Sequence, residues 1–236
     1  MALTSLLGDR LAPVTYSIGF LSAPPKRAAR AARWLYFRWP DAWRRVAVLD
    51  GGLEEALLHL QPLGGFLLPR VLVASTALEG WSAVFDGDAR GQGVRGVSVR
   101  LARALRVPGY FVAAAPPALD PEHFPGFRQF YVLGPQTGRD HVRAVWVGEE
   151  EDVGRWHFGT DGEVQPYEDV EAYRRRRRTD RFTERMLVDY AAAVGLRPWE
   201  DSFYRPPFHL ITSLRLGRDR FQRTLAQVRT EMKLDE

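Results

Sequence analysis

The chain has 236 residues, of which 45% are hydrophobic and 26% are charged, a composition typical of a folded protein rather than of a disordered segment. It contains no cysteine, which excludes disulfides, thiol nucleophiles, iron–sulfur clusters and cysteine-ligated zinc. The formal net charge of +4, with 29 acidic residues interspersed, is too small to indicate a nucleic-acid-binding protein by itself.

The N-terminal residues and the hydropathy pattern predict a cytoplasmic protein. Asp9 and Arg10 interrupt the first apolar stretch too early for a signal peptide, and that stretch has no basic start. No run approaches the roughly 18 apolar residues of a membrane-spanning helix, so no membrane association is expected. Lysine occurs only at positions 26 and 233, and this dominance of arginine, together with many alanines, is typical of a GC-rich genome.

The chain up to about residue 160 is rich in predicted strands. Short apolar or alternating runs bounded by glycine and proline predict seven of them. These runs cover residues 14–21, 70–76, 81–86, 109–115, 127–133, 142–148 and 154–158. Helical spacing of apolar residues predicts helices over 26–35, from Leu53 to Leu60 and from Val94 to Leu105.

Beyond about residue 166 the pattern becomes helical. An apolar stripe from Phe182 to Val194 predicts a helix that is capped by Thr179 or Asp180 and stopped by Gly195. A last helix is predicted from Phe221 to Met232.

This order of elements predicts an α+β fold. We expect a central, largely antiparallel sheet of about six to seven strands, with helices gathered at the ends and a helical C-terminal third. We expect one domain over residues 1–236. A candidate sub-boundary near 160–166 would separate a strand-rich part, 1–160, from a helix-rich part, 167–236.

Three blocks of sequence resemble an uncharacterised family of bacterial proteins. They are Gln61-Pro62-Leu63, Arg70-Val71-Leu72-Val73 and Trp81-Ser82-Ala83-Val84-Phe85-Asp86, in the order Pro-Leu, short strand, Trp-x-Ala-x-Phe-Asp. Ser98 to Leu105, and Asp180-Arg181-Phe182 through Asp201-Ser202-Phe203-Tyr204, are also similar to later blocks of the family, so the resemblance covers about residues 55–205. The sequence departs from the family pattern at the end of the Trp81 to Asp86 block, where Asp86-Gly87-Asp88 replaces Asp-Asn-Gly. The resemblance implies no known activity, and it implies an association with immunity or accessory partners of bacterial toxins.

A Gly-x-Gly-x-x-Gly pattern over residues 91–96 lies between a predicted strand and a predicted helix. In dinucleotide sites such glycines let the backbone approach a pyrophosphate at a helix N-terminus. Here five residues separate Phe85 from Gly91, and the next strand ends near Ala115-Pro116-Pro117 with no acidic residue there to hold a ribose. A plain glycine-rich loop is therefore favoured, and no cofactor is predicted.

Five consecutive arginines, Arg174 to Arg178, form the most pronounced basic cluster. On a helix they would point around most of the circumference, and Glu171 is spaced to pair with Arg175. A solvated, salt-bridged helix is the plainer interpretation. The alternative is a surface for an anionic partner or nucleic acid that includes Arg175 and Arg178.

An arginine- and tryptophan-rich stretch follows the first predicted helix. Both residue types are enriched at the hot spots of protein interfaces, which makes Trp39 and Trp43 candidate binding residues. A segment packed on the sheet with arginine stems lying over it explains the same composition equally well.

The sequence contains no catalytic or metal-binding motif that we recognise. No two histidines have metal-ligand spacing, Gly-x-Ser-x-Gly is absent, and the polar run Arg139-Asp140-His141 is more typical of a hairpin connection than of a site. We therefore predict no catalytic residue, metal or cofactor.

The first hypothesis is a non-catalytic protein-binding protein, immunity-like or accessory, whose partner is another bacterial protein such as a toxin. One alternative is a nucleic-acid-binding protein that uses the arginine cluster. The other is an enzyme of unknown class with a pocket near Asp86, Asp88 and Arg90.

Overall fold

Nine strands form one antiparallel sheet in the computed structural model, which describes residues 6–35, 42–64, 70–116, 126–135, 139–149, 155–215 and 222–235. The strands are β1 (Ser17–Leu21), β2 (Ala42–Leu49), β3 (Val71–Thr76), β4 (Ser82–Asp86), β5 (Gly109–Ala115), β6 (Phe127–Leu133), β7 (Arg143–Glu149), β8 (Trp156–Gly162) and β9 (Tyr204–Arg215). Their order across the sheet is β2-β9-β3-β4-β1-β5-β6-β7-β8.

Helices lie on both faces of this sheet. They are α1 (Pro25–Leu35), α2 (Leu53–Leu58), α3 (Val94–Leu105), α4 (Glu184–Ala193) and α5 (Leu225–Glu231). On the α3 face, α1 and α3 pack together, and Gly19 of β1 lies so close beneath α3 that a Cβ atom would overlap the hydroxyl of Ser98. On the opposite α4 face, Phe130 of β6 packs edge to face against Tyr190, with ring centroids 6.2 Å apart.

The strand count and the helical C-terminal third were predicted wrongly. The two strands that the sequence did not predict, β2 and β9, pair with each other from Ala42↔Arg215 to Leu49↔Phe208. β9 also pairs with β3, so the region expected to be helix-rich supplies an inner strand of the sheet. Helices are not gathered at the chain ends either, because α3 lies between β4 and β5 in sequence.

Two prolines explain why β9 was not predicted from the sequence. Pro206 and Pro207 cannot donate ladder hydrogen bonds, and such residues normally count against an inner strand. In the structure the β3–β9 register shifts between Val73 and Ser75, and this irregularity leaves the prolines without regular ladder partners. The expected sub-boundary near 160–166 stays a prediction.

The arginine run is not a helix. Its first and last residues, Arg174 and Arg178, belong to two short 3₁₀ turns, Ala172–Arg174 and Arg178–Asp180. α4 starts later than predicted, because the cap is Thr183, whose hydroxyl accepts a hydrogen bond from the Met186 amide at 3.3 Å.

A buried ion pair fastens the segment after β8 to the sheet. Arg143 of β7 donates from Nε and Nη2 to the two carboxylate oxygens of Glu168, at 2.9 and 2.7 Å. Glu168 also accepts from the Tyr173 hydroxyl at 2.8 Å and from the Gln165 amide at 2.9 Å. Each of the two carboxylate oxygens therefore has two donors, as a buried charge requires.

None of the helices described is both long enough and apolar enough to cross a membrane.

Candidate functional site

A groove of about 450 Å³ runs along α3, between that helix and strands β5 and β6. One wall is the side of α3 from Arg95 to Arg103, a rise of roughly 12 Å at 1.5 Å per residue. Asp140, in the connection between β6 and β7, also lines the groove. Helix α3 has the bounds predicted from the sequence, 94–105, and its polar side lines the groove.

Sheet register explains the floor of the groove. Ser17, Ala113 and Gln129 are neighbours on β1, β5 and β6 and so present their side chains on the same face. This is the α3 face, because Ser17 lies two residues from Gly19 on β1. Phe111 and Phe127 lie beside this row and are buried. The floor is thus apolar at its ends and carries amide and hydroxyl groups at its centre.

Guanidinium groups dominate the wall. The Arg95 Cζ lies 5.5 Å from the centroid of the Tyr131 ring, and its Nη1 donates to the Tyr131 hydroxyl at 3.4 Å. Arg100 donates from Nε to the Gly96 carbonyl at 3.0 Å. Both side chains nevertheless remain exposed.

Hydrogen bonds of Arg103 connect the α3 wall to the rim of the groove, which is formed here by Arg139 and Asp140. Arg103 Nη2 donates to an Asp140 carboxylate oxygen at 3.0 Å and to the Arg139 carbonyl at 2.5 Å. Asp140 is the one carboxylate among the described residues that line the groove, where three arginines are present. The groove consequently has an excess of positive charge.

The carboxylate of Asp88 holds the start of α3. Its Oδ2 accepts hydrogen bonds from the amides of Gln92 and Gly93, at 2.9 and 3.1 Å. In a pyrophosphate site, amides at this position would face the ligand. Because Asp88 already occupies them, the Gly-x-Gly-x-x-Gly pattern does not form a phosphate cradle here.

Close backbone packing accounts for the first two glycines of that pattern. Gly91 has φ +67° and lies against the Pro13 carbonyl, and its own carbonyl accepts from the Ser17 hydroxyl at 2.6 Å. Gly93 lies against the carboxyl groups of Asp86 and Asp88, with no room for a side chain.

Asp86, at the end of β4, is buried directly behind Gly93. Burial, and then the negative charge of Asp88, raise the pKa of Asp86 to about 8, although the Asp88 amide donates to its Oδ1 at 3.3 Å. Asp86 is therefore largely protonated at neutral pH.

The structure brings some of the predicted site residues together and separates others. Asp86 and Asp88 lie together behind the inner end of the groove, whereas Arg90 is exposed on the loop between Asp88 and Gly91 and does not line it. Arg175 and Arg178 lie on the α4 face beside β8, away from the groove.

The two predicted tryptophans lie wholly or partly outside the described part of the structure. Trp39 lies outside the described residues. Trp43 lies in β2 opposite Leu214, with its side chain outside the described part.

Sequence reasoning missed the residues that make the groove. The helix over 94–105 was predicted from its apolar residues alone, without a role for its arginines, and Asp140 was treated as part of a hairpin connection. The available signal was the spacing of Arg95, Arg100 and Arg103, which places them within one broad side of a helix.

Comparisons of the chain with family models, with curated proteins and with solved structures found no match. The resemblance noted in the sequence therefore stays an expectation.

Proposed function

We propose that this chain is a binding protein whose α3 groove receives an acidic segment of a partner protein. The observation that supports the proposal is the alignment of Arg95, Arg100 and Arg103 along one wall, with Asp140 as the single lining carboxylate among the described residues. The guanidinium fork matches the geometry of a carboxylate and can bind it through two parallel hydrogen bonds.

The shape of the groove favours a segment of extended chain. A wall of roughly 12 Å corresponds to about three or four residues at 3.3 Å each. The side-chain amides of Gln92 and Gln129 can pair with peptide groups of such a segment, and Phe111 and Phe127 supply apolar floor beside them. An extended peptide with carboxylates at alternate positions fits this combination of groups.

Arg95 is held in place before any ligand arrives. Its contacts with the ring and hydroxyl of Tyr131 restrict the side chain, which lowers the conformational entropy lost on binding. Arg103 is restrained in the same way by Asp140 at the rim.

Binding is preferred here to the alternative of an enzyme with a pocket at Asp86. The carboxyl group of Asp86 lies behind Gly93, so a ligand in the groove would meet the Gly93 backbone before it met the carboxyl group. The Ser17 hydroxyl already donates its hydrogen bond to the Gly91 carbonyl. The proposal that the partner is a bacterial toxin or a related protein is based on the resemblance in the sequence.

Titration with hexaglutamate at low ionic strength tests the proposal, with hexaglutamine as the uncharged probe. We expect the protein to bind hexaglutamate and not hexaglutamine, and the variant Arg95→Gln/Arg100→Gln to bind hexaglutamate about two- to thirtyfold more weakly, since each of two exposed ion pairs contributes about 0.2–1 kcal/mol. The variant Arg30→Gln/Arg185→Gln removes the same charge from exposed positions on α1 and α4. Equal losses in the two variants would refute the groove as the binding site.

A further inference from the structure

We propose a second site, independent of the groove and on the opposite face of the sheet: the arginine segment, Arg174 to Arg178, binds single-stranded nucleic acid. The segment is exposed along its whole length. The acidic-segment proposal does not use it, and neither proposal depends on the other.

The arginine segment is not α-helical, and two of its residues have extended backbone dihedrals. Arg175 has φ −57° and ψ 146°, and Arg177 has φ −80° and ψ 124°, both in the extended region. The middle of the segment, Arg176 and Arg177, is an exposed bend between the two 3₁₀ turns.

Three hydrogen bonds fix this loop on the protein. Arg175 Nη1 donates to the Asp180 carbonyl at 3.0 Å, and Arg181 Nε donates back to the Arg175 carbonyl at 2.7 Å. Arg178 Nη1 donates to the carbonyl of Trp156 in the edge strand β8, at 2.8 Å. The ends of the segment are therefore pinned while its middle faces solvent.

The charge of the segment is only partly neutralised. Arg174 pairs with Glu171 at 3.3 Å, and Arg175 lies 3.9 Å from Asp169. The guanidinium groups of Arg176 and Arg177 have no ion-pair or hydrogen-bond partner among the described residues, and both side chains are exposed. Two guanidinium groups are consequently available to an anionic ligand without breaking an existing pair.

Aromatic rings of the edge strand border the segment. The Arg128 Cζ lies 5.5 Å from the Trp156 ring centroid, and the Arg181 Cζ lies 5.8 Å from that of Phe158. Both rings are partly exposed. Aromatic rings and guanidinium planes are the surfaces on which unpaired bases stack.

These features favour single-stranded nucleic acid over a duplex. Duplex readers commonly place a helix or a strand pair in a groove, whereas the arginine segment is a short loop. A single strand supplies closely spaced phosphates for Arg176 and Arg177 and unpaired bases for the neighbouring rings.

The test is the binding of a labelled oligothymidylate, measured by fluorescence anisotropy over a range of salt concentrations. We expect the variant Arg176→Gln/Arg177→Gln to bind about tenfold more weakly at low salt. Each lost phosphate contact lowers the slope of log K against log salt by about 0.7, so the double variant should lower it by about 1.4. The control Arg30→Gln/Arg185→Gln should keep the wild-type slope.

Three outcomes would overturn the inference. The first is no binding of oligothymidylate at low salt. The second is an equal loss of affinity in the control or in the groove variant Arg95→Gln/Arg100→Gln. The third is competition by polyglutamate that matches that of oligothymidylate at equal charge, which would identify an acidic protein as the ligand. Wild-type circular dichroism and melting temperature in each variant exclude a folding defect.

Discussion

The carboxyl group of Asp86 lies against the Cα of Gly93, so the last residue of β4 is packed beneath the residue that precedes α3. This contact ties the start of α3 to the sheet at the inner end of the groove. The backbone of Gly93 thereby helps to bury the carboxyl group of Asp86.

The replacement Gly93→Ala should destabilise the fold by about 1–3 kcal/mol, because the new methyl group would displace buried carboxyl groups in a tightly packed region. Backbone strain does not contribute, since Gly93 already has φ −65°. The control is Gly96→Ala within α3, where the nearest heavy atom to a Cβ is Arg100 Nη2 at 3.8 Å. Gly96→Ala should stabilise the protein by about 0.5–1 kcal/mol through helix propensity. Urea unfolding measures both, and an equal effect of the two substitutions would contradict the close contact at Gly93.

The protonation of Asp86 should make stability depend on pH. Its pKa is 3.8 in the unfolded chain and about 8 in the folded protein, so between these values the folded state holds a proton that the unfolded state has released. The free energy of unfolding should therefore fall as pH rises from about 4 to about 8, by at most about 1.4 kcal/mol per pH unit from this group. Above about pH 8 this contribution stays constant.

The variant Asp86→Asn isolates this effect, because it keeps the shape of the side chain and cannot ionise. Its stability relative to the wild type should increase steadily between about pH 5 and about pH 8. Unfolding curves in urea at several pH values measure the difference. Parallel pH profiles for the two proteins would show that Asp86 keeps an ordinary pKa.

The buried pair of Arg143 and Glu168 predicts a large single-residue effect. Glu168→Gln would leave a buried guanidinium without its counter-charge and should cost about 3–5 kcal/mol. The double variant Arg143→Met/Glu168→Leu removes both charges and should cost less than Glu168→Gln alone, although the Tyr173 hydroxyl then loses its acceptor. Arg185→Gln breaks the exposed pair with Asp189 and should cost less than about 1 kcal/mol. Urea unfolding of Arg143→Met, Glu168→Leu and the double variant forms a double-mutant cycle that measures the coupling, and additive costs of the two single replacements would contradict a specific pair.

Sequence patterns predicted correctly those strands and helices whose bounds are set by neighbouring residues. Strands β5 and β6 and helix α3 have the predicted bounds, because glycine and proline border the strands and the apolar stripe of α3 is uninterrupted. β9 was not predictable in this way, since Pro206 and Pro207 are tolerated through an irregular pairing with β3 that the sequence does not reveal. The arginine run was not predictable either, because a long-range contact between Arg178 and the Trp156 carbonyl helps hold it in a non-helical form.

The candidate site was less predictable than the fold. Arg103 and Asp140 are 37 positions apart in sequence, and they meet because β5 and β6 are adjacent and the connection after β6 returns toward α3. Asp86 and Asp88 were identified from their position after a strand, but their role in holding α3 depends on the two amides that face Asp88.

The most direct test of the proposed acidic-segment site is a reversal of charge on both sides of the contact. In the variant Arg95→Glu/Arg100→Glu, titration should show that binding of hexaglutamate is lost and that hexalysine, which the wild type does not bind, is now bound. That exchange of preference would place the ligand against these two residues of α3. Retention of hexaglutamate binding within about twofold of the wild-type affinity, a difference of only about 0.4 kcal/mol, would contradict the account.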